Sequence, residues 1–230
     1  MTPCTVDHGD LLPPGWTYLD REQVDEAWSR FRAAFGALRP GLHADAWPAI
    51  TEPAPSVTFD LRFDATAVPA IWAARMEAIN AETVRCLLGI ADPSEVVVLD
   101  WQHPGYRLDL SEHASAPDAV WGVPVYPDGD YYTFVLPDFS EGTFGHPWEQ
   151  SLCVFGPRLV GTLAVTLSTW LPVLRVDGRT QQDNPLLVDD PPPVRRPARR
   201  FFEGFTEAGP HFAHRMRQRG DAGCSDASGA

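Results

Sequence analysis

Two histidines, each followed by a proline, lie among carboxylates in the middle of the chain. His103 comes three residues after Asp100, and His146 comes three residues before Glu149. An imidazole exchanges protons near neutral pH, and a neighbouring carboxylate can orient its ring or raise its pKa. Because proline disfavours helical backbone at the preceding residue, both histidines are predicted to lie at strand ends or in loops. Loops held by a sheet are frequent places for catalytic side chains.

The residues around these histidines form a candidate acid–base site. The predicted catalytic residues are His103, His146, Asp128, Asp130 and Glu149. The predicted substrate-binding residues are Trp101, Gln102, Tyr106, Tyr131, Tyr132 and Trp148. Acids can orient an imidazole or hold a cationic group, and aromatic rings can wall a pocket and exclude water. The pattern favours a small-molecule site with acid–base chemistry of the lyase, cyclase or hydrolase type, on a polar or cationic substrate.

Each of these patterns also has a purely structural interpretation. Either His-Pro pair could be a turn, and Asp128-Gly129-Asp130 could be a hairpin turn, because Asp-Gly is a strong turn signal. Two histidines and a carboxylate can bind iron or zinc, but the chain has no H-E-x-x-H motif and no evident third ligand. We therefore predict no metal site and no cofactor.

Other candidate nucleophiles near His146 are less convincing. Ser140, Ser151 and Cys153 lie close to it along the chain, but no G-x-S-x-G motif is present. Cys153 lies in an apolar run, which predicts a buried, structural thiol.

The composition excludes several classes of enzyme. All 18 basic residues are arginine, so the chain has no lysine for a Schiff base, for anchoring pyridoxal phosphate or for a P-loop. Residues 1–174 carry 9 arginines and 23 carboxylates, and such an acidic body disfavours nucleic acid and anionic membranes as partners. A small-molecule ligand or a basic protein is favoured instead. With no apolar leader and no C-x-x-C pair, the chain is predicted to be cytoplasmic.

A binding protein is the second hypothesis. An immunity or regulatory module could cover a basic target with an acidic, aromatic surface, because aromatic anchors and opposite charge favour association. That function predicts a flat, exposed patch that includes Trp101, Trp148 or Tyr131.

Helices are predicted on both sides of a run of strands that carries the candidate site. One helix begins after Asp20, which forms a capping pair with Gln23, and ends at Pro40-Gly41; a second runs from Pro69 to Gly89. A third apolar segment, 159–171, follows Gly156-Pro157. Predicted strands cover residues 57–63, 95–101, 106–110, 121–126, 131–136 and 151–155.

This order predicts an α+β fold, a single domain with a mainly antiparallel sheet packed by about three helices. Residues 1–15 are a loose N-terminal segment, residues 16–176 the α+β domain, and residues 177–230 a Pro/Arg-rich, poorly ordered tail. The tail holds an arginine cluster at 195–200 and the pair His211 and His214, for which a solvated segment is the simpler interpretation.

Three segments resemble a bacterial, mostly actinobacterial family known as domain of unknown function 2716. They are Leu99-Asp-Trp-Gln-His-Pro104, Pro127-Asp-Gly-Asp-Tyr-Tyr132, and Gly145-His-Pro-Trp-Glu-Gln150 with the following Cys153-Val-Phe-Gly156. The resemblance covers about residues 16–176. It implies a single bacterial cytoplasmic domain and transfers no catalytic residue to this chain.

Overall fold

The computed structural model describes residues 12–62, 69–116 and 120–180, and these contain one nine-stranded sheet. The strands are β1 (Trp16–Tyr18), β2 (Ser56–Asp60), β3 (Glu95–Asp100), β4 (Tyr106–Asp109), β5 (Tyr132–Val135), β6 (Gly142–His146), β7 (Ser151–Phe155), β8 (Val173–Val176) and β9 (Arg179–Thr180). Their order is β1-β4-β3-β5-β6-β7-β2-β8-β9, and every neighbouring pair is antiparallel. The predicted α+β class with a mainly antiparallel sheet is confirmed.

Three helical segments lie close to their predicted positions, and a fourth, short helix lies where a loop was predicted. They are α1 (Arg21–Phe35), α2 (Pro69–Leu88), the short α3 (Leu110–Ser115), and a helical run made of α4 (Pro157–Leu159), a π-helical turn (Val160–Ala164) and α5 (Val165–Leu167). Asp20 caps α1 as predicted, because its carboxylate accepts from the Gln23 N–H while the Gln23 side chain accepts from the Asp20 N–H. The α1 helix ends at Gly36 rather than at Pro40.

Helices cover both faces of the sheet. On one face, α2 and the 157–167 run bury residues such as Ile79 and Leu163 in one cluster with Val98 of β3. On the other face, Phe31 of α1 joins a second cluster with Leu99, the next residue of β3. Because successive side chains of a strand point to opposite faces, the sheet is the middle of three layers.

Strand β6 was not predicted, and the combination of full burial with two glycines explains why. Strands β5, β6 and β7 are buried at every residue, so the alternation of polar and apolar residues that marks a half-buried strand is absent. Two glycines in Gly142–His146 also look like turn residues. A Cβ at Gly142 would lie 2.3 Å from the Phe134 carbonyl oxygen, so glycine is required there by close packing of backbone.

The predicted strand at 121–126 is wrong. These residues form a loop, and the Val125 and Tyr126 N–H groups donate to the Asn80 Oδ1 of α2 at 2.9 and 3.2 Å. A helix side chain therefore satisfies backbone groups that would otherwise need a neighbouring strand.

We expect Asn80→Ala to lower the free energy of unfolding by about 2 kcal/mol, because it leaves two buried N–H groups without an acceptor. Thr83→Ala in the same helix is the matched control. Among the described residues, the Thr83 hydroxyl bonds only to the Ile79 carbonyl of its own helix. Its removal leaves no N–H group without an acceptor, so this variant should lose less stability. Urea unfolding of the two variants measures the difference, and equal costs would contradict this role of Asn80.

Several expectations fall outside the described residues. The arginine cluster at 195–200 and the histidines at 211 and 214 lie there, as do most of the predicted N-terminal segment and tail. Within the described ranges, no helix combines the length and apolar character needed to span a bilayer.

Candidate functional site

One edge of the sheet gathers the loops that carry the predicted site. Asp100 ends β3 opposite Tyr132, the first residue of β5, and His146 ends β6 opposite Ser151, the first residue of β7. Because these neighbouring strands are antiparallel, the end of one meets the start of the next at the same edge. The loops 101–105, 127–131 and 147–150 therefore emerge together.

Asp100, His103 and Asp130 meet at this edge, and we call them the Asp–His–Asp cluster. The His103 Nδ1 lies 2.9 Å from Asp100 Oδ1 and 3.5 Å from Asp130 Oδ2. Both acids are only 6% exposed, whereas the His103 side chain is 41% exposed. The other Asp130 oxygen, Oδ1, accepts from the Tyr131 N–H at 2.7 Å. An accessible imidazole is thus held by two buried carboxyl groups, one of which is fixed by backbone.

Burial controls the protonation of Asp100. Desolvation, with a smaller contribution from the nearby Asp130, raises the pKa of its carboxyl to about 6 against the lowering effect of His103. A carboxyl group with such a pKa changes its charge close to neutral pH, which is common at functional sites.

The same cluster supplies three possible metal ligands. One atom from each of Asp100, His103 and Asp130 lies within 4.8 Å of the other two, and no other such group occurs in the described ranges. One imidazole nitrogen and two carboxylate oxygens suit divalent ions such as Zn²⁺ or Mn²⁺. No third ligand was evident from the sequence, and the fold supplies it by bringing Asp130 from a separate loop.

A hollow of ≈ 280 Å³ lies beside the cluster, and we call it the tryptophan pocket. It is lined by residues 40–42, by Trp101, Gln102 and Trp148, and by Gly129 and Asp130. Asp130 therefore belongs to both the pocket and the cluster. Of the predicted substrate-binding residues, Trp101, Gln102 and Trp148 line this pocket.

Tyr131 is buried behind the two indoles. It is 1% exposed, and its ring centroid lies 5.6 Å from that of Trp101 and 5.0 Å from that of Trp148. Its phenol oxygen accepts from the Gly41 N–H at 3.0 Å. Tyr131 thus supports both tryptophans and fixes the loop that follows α1.

His146 is separated from the cluster by its burial. It is 1% exposed, and its ring centroid lies 4.8 Å from that of Tyr131 and 5.8 Å from that of Trp47. Its Nδ1 accepts from the Glu149 N–H at 3.0 Å, and its buried Nε2 has no hydrogen-bond partner among the described residues. Burial lowers the pKa of His146 to about 4, against the effect of Glu149. His146 therefore ends β6 with its imidazole turned to the backbone of the following loop and away from solvent.

Glu149 is held in a buried ion-pair network with Arg175 and Glu52. The Arg175 guanidinium makes two bonds to Glu149, at 2.6 and 2.7 Å, and two to Glu52 Oε1, at 3.0 and 2.8 Å. Burial opposes ionisation of Glu149, but the hydrogen bonds and charge of Arg175 outweigh it and lower the pKa. This network connects β8 to the loops before β2 and β7, and it occupies both oxygens of Glu149.

Among the remaining predicted residues, Tyr132 lies next to the cluster, because it is paired with Asp100 across β3 and β5. The Tyr132 hydroxyl donates to the Asp128 carbonyl at 3.2 Å, and burial raises the pKa of the Asp128 carboxyl and of the Tyr132 phenol. Tyr106 packs against Trp16 in the core at 5.5 Å. Cys153 is buried as predicted, and burial raises the pKa of its thiol, so it is a poor nucleophile.

Sequence reasoning missed two groups of residues at this edge. Residues 40–42 enter the pocket only because α1 packs across the sheet, although Pro40-Gly41 marked a loop in the sequence. Glu52 and Arg175 lie 123 positions apart, and no local pattern connects them.

Comparison with known proteins assigns the chain to a family. A profile of the family described as "Protein of unknown function (DUF2716)" matches residues 18–160. The chain belongs to this family. The match includes the whole Asp–His–Asp cluster and the tryptophan pocket, and it confirms the predicted family resemblance.

Similarity to a curated relative is partial. Over 76 residues the chain is 43% identical to the "Uncharacterized protein YxiI" of the bacterium Bacillus subtilis (strain 168). The aligned part is 32% of this chain and 46% of the relative, so the match spans about half of that protein. No solved structure matches this member of the DUF2716 family.

Proposed function

We propose that this DUF2716 protein is a bacterial, cytoplasmic enzyme that binds a small molecule and uses His103 as its general acid or base. The chemistry is metal-independent proton transfer of the lyase, cyclase or hydrolase type. The Asp–His–Asp cluster supports it, because His103 combines a fixed ring nitrogen with a side chain that solvent and substrate can reach. Of the two histidines predicted as catalytic, we retain His103.

The two carboxyl groups set the tautomer of His103. When Asp100 is ionised, its oxygen at 2.9 Å favours the proton on Nδ1. The Nε2 atom is then left to take a proton from a substrate or to return one. Asp130 stands at 3.5 Å from the same nitrogen and stabilises the imidazolium that forms when the base is protonated.

The tryptophan pocket would supply the binding part of the activity. A positioned acid or base contributes roughly 10²- to 10⁴-fold in rate, so further stabilisation must come from groups that hold the substrate. Trp101 and Trp148 offer apolar surface, and Asp130 offers charge beside the imidazole.

We expect His103→Gln to reduce turnover by a factor of about 10² to 10⁴, because it removes the proton-accepting nitrogen. Bacterial metabolite extract is incubated with the full-length protein, and mass spectrometry identifies the compounds that are consumed. His146→Asn is the matched control, since the Asn oxygen can still accept the Glu149 N–H. Full turnover by His103→Gln, or no compound consumed by the wild-type protein, would show that the proposed function is wrong.

A protein-binding module is the second candidate, favoured by one observation. Leu42 at the pocket is 54% exposed, next to the partly exposed Trp101 and Trp148 on an acidic body. Such a surface could receive a basic protein, and that association would weaken with added salt.

A further inference from the structure

We propose that the tryptophan pocket selects a small organic cation, an amine or a quaternary ammonium group, with Asp130 as its counter-ion. This inference rests on the site described under Proposed function and names its substrate class. It does not depend on the role of His103 in proton transfer.

The charge of the pocket is the first observation that carries the proposal. Asp130 is the single charged residue among the described lining residues, and no arginine lines the pocket. The Asp130 side chain is 8% exposed, and within the described ranges its ion-pair contact is with His103 at 3.5 Å, at the long end for an ion pair. A largely desolvated carboxylate attracts a cation more strongly than an exposed one does. The same charge disfavours anions.

The aromatic walls are the second observation. Trp101 and Trp148 both line the hollow and flank the buried Tyr131 ring. Indole attracts cations more strongly than the other aromatic rings, and paired aromatic rings beside a carboxylate are how proteins recognise quaternary ammonium groups. The ≈ 280 Å³ volume lies near the lower end of the range for ligand sites, which suits a small cation.

The net charge of residues 1–174 also favours a cationic ligand. The 23 carboxylates and 9 arginines of residues 1–174 give that part of the chain a net negative charge. A negative field concentrates cations near the surface and increases their association rate.

Tetramethylammonium is the probe for the test, and tert-butanol is its neutral control of similar shape. Binding to the full-length protein is followed through the tryptophan indole NMR signals at constant ionic strength. We expect saturable binding of tetramethylammonium that is at least about tenfold tighter than binding of tert-butanol, a difference of about 1.4 kcal/mol. The shifted signals should be those of Trp101 and Trp148.

Three variants locate the cation. Asp130→Asn and Trp148→Leu should each weaken tetramethylammonium binding by about tenfold, the loss expected for removing one desolvated charge or one ring. Trp170→Leu is the matched control, because Trp170 is a partly exposed tryptophan that lines a different groove. It should leave the affinity unchanged.

The outcomes separate this proposal from the enzymatic one. Equal binding of tert-butanol, or no saturable binding of tetramethylammonium, would overturn the choice of a cation even if His103→Gln abolishes turnover. Binding of Zn²⁺ that depends on Asp100, His103 and Asp130, without binding of tetramethylammonium, would also overturn it and indicate a metal centre. Cation binding that persists in His103→Gln supports the proposal, whatever that variant does to turnover.

Discussion

Arg175→Met is expected to lower the free energy of unfolding by about 3 to 5 kcal/mol, the range typical for removing one partner of a buried ion pair. The side chains of Glu52, Glu149 and Arg175 are 1%, 8% and 10% exposed. Without the guanidinium, two buried carboxylates would face each other with no cation between them. Denaturant unfolding at neutral pH measures the loss.

An exposed ion pair gives the matched control. Arg85 bonds to Glu82 on α2 with a side chain that is 64% exposed, so Arg85→Met should cost much less than Arg175→Met. Combining Arg175→Met with Glu52→Gln and Glu149→Gln should restore part of the stability, because the uncompensated charges are then removed. A cost for Arg175→Met as small as that for Arg85→Met would show that the network is not buried as described.

Asp100→Asn should have the opposite effect and stabilise the protein at pH 7 by up to about 3 kcal/mol, by the free-energy equivalent of a pKa shift. The pKa of Asp100 is raised in the folded state to about 6. A raised carboxyl pKa contributes stability below the unfolded pKa of 3.8, and that contribution is lost as the pH rises through about 6. Asparagine resembles the neutral acid at every pH, so the variant does not lose this stability as the pH rises.

His146 makes the pH dependence of this variant diagnostic. Its pKa is lowered from 6.5 to about 4, so its contribution to stability is present above pH 6.5 and is lost as the pH falls through about 4. In the wild-type protein the two contributions have opposite slopes between pH 4 and 6 and offset each other. Asp100→Asn removes the contribution of Asp100, so stability should rise more steeply with pH between 4 and 6 in the variant than in the wild type.

Unfolding curves collected from pH 4 to 8 for both proteins test this. If Asp100→Asn is less stable than the wild type at pH 7, the Asp100 carboxyl is structural and not a destabilised functional group. A variant that gains stability while turnover falls would fit the usual trade-off between stability and activity at functional sites.

The sequence was sufficient for the parts of the fold that rest on local signals. The Asp20 cap, Pro69 at the start of α2 and the apolar strand at 95–100 each follow from neighbouring residues. Strand β6 could not be predicted, because its glycines are not turn residues: Gly142 lies close to the backbone of β5, and Gly145 lies close to the Pro127 ring. Residues 121–126 have the sequence pattern of a strand. The pattern could not show that Asn80, in a distant helix, accepts the N–H groups of Val125 and Tyr126.

The sequence predicted which stretch of the chain carries the candidate site, but not how its side chains are arranged in space. Spacing along the chain brought His103 and Asp100 together, since the two are only three residues apart. It could not show that Asp130 completes the cluster, because that depends on β3 pairing with β5. Nor could it show that His146 lies beneath aromatic rings, which depends on where the 44–51 segment and Trp47 pack.

The two edge strands of the sheet, β1 and β9, are short, and this affects how copies of the chain could associate. β1 has three residues and β9 has two, so the described sheet offers few free backbone groups at either border. Long, exposed edge strands are the ones that pair with strands of other molecules and lead to aggregation. The described sheet is therefore poorly suited to continue from one copy of the chain into the next.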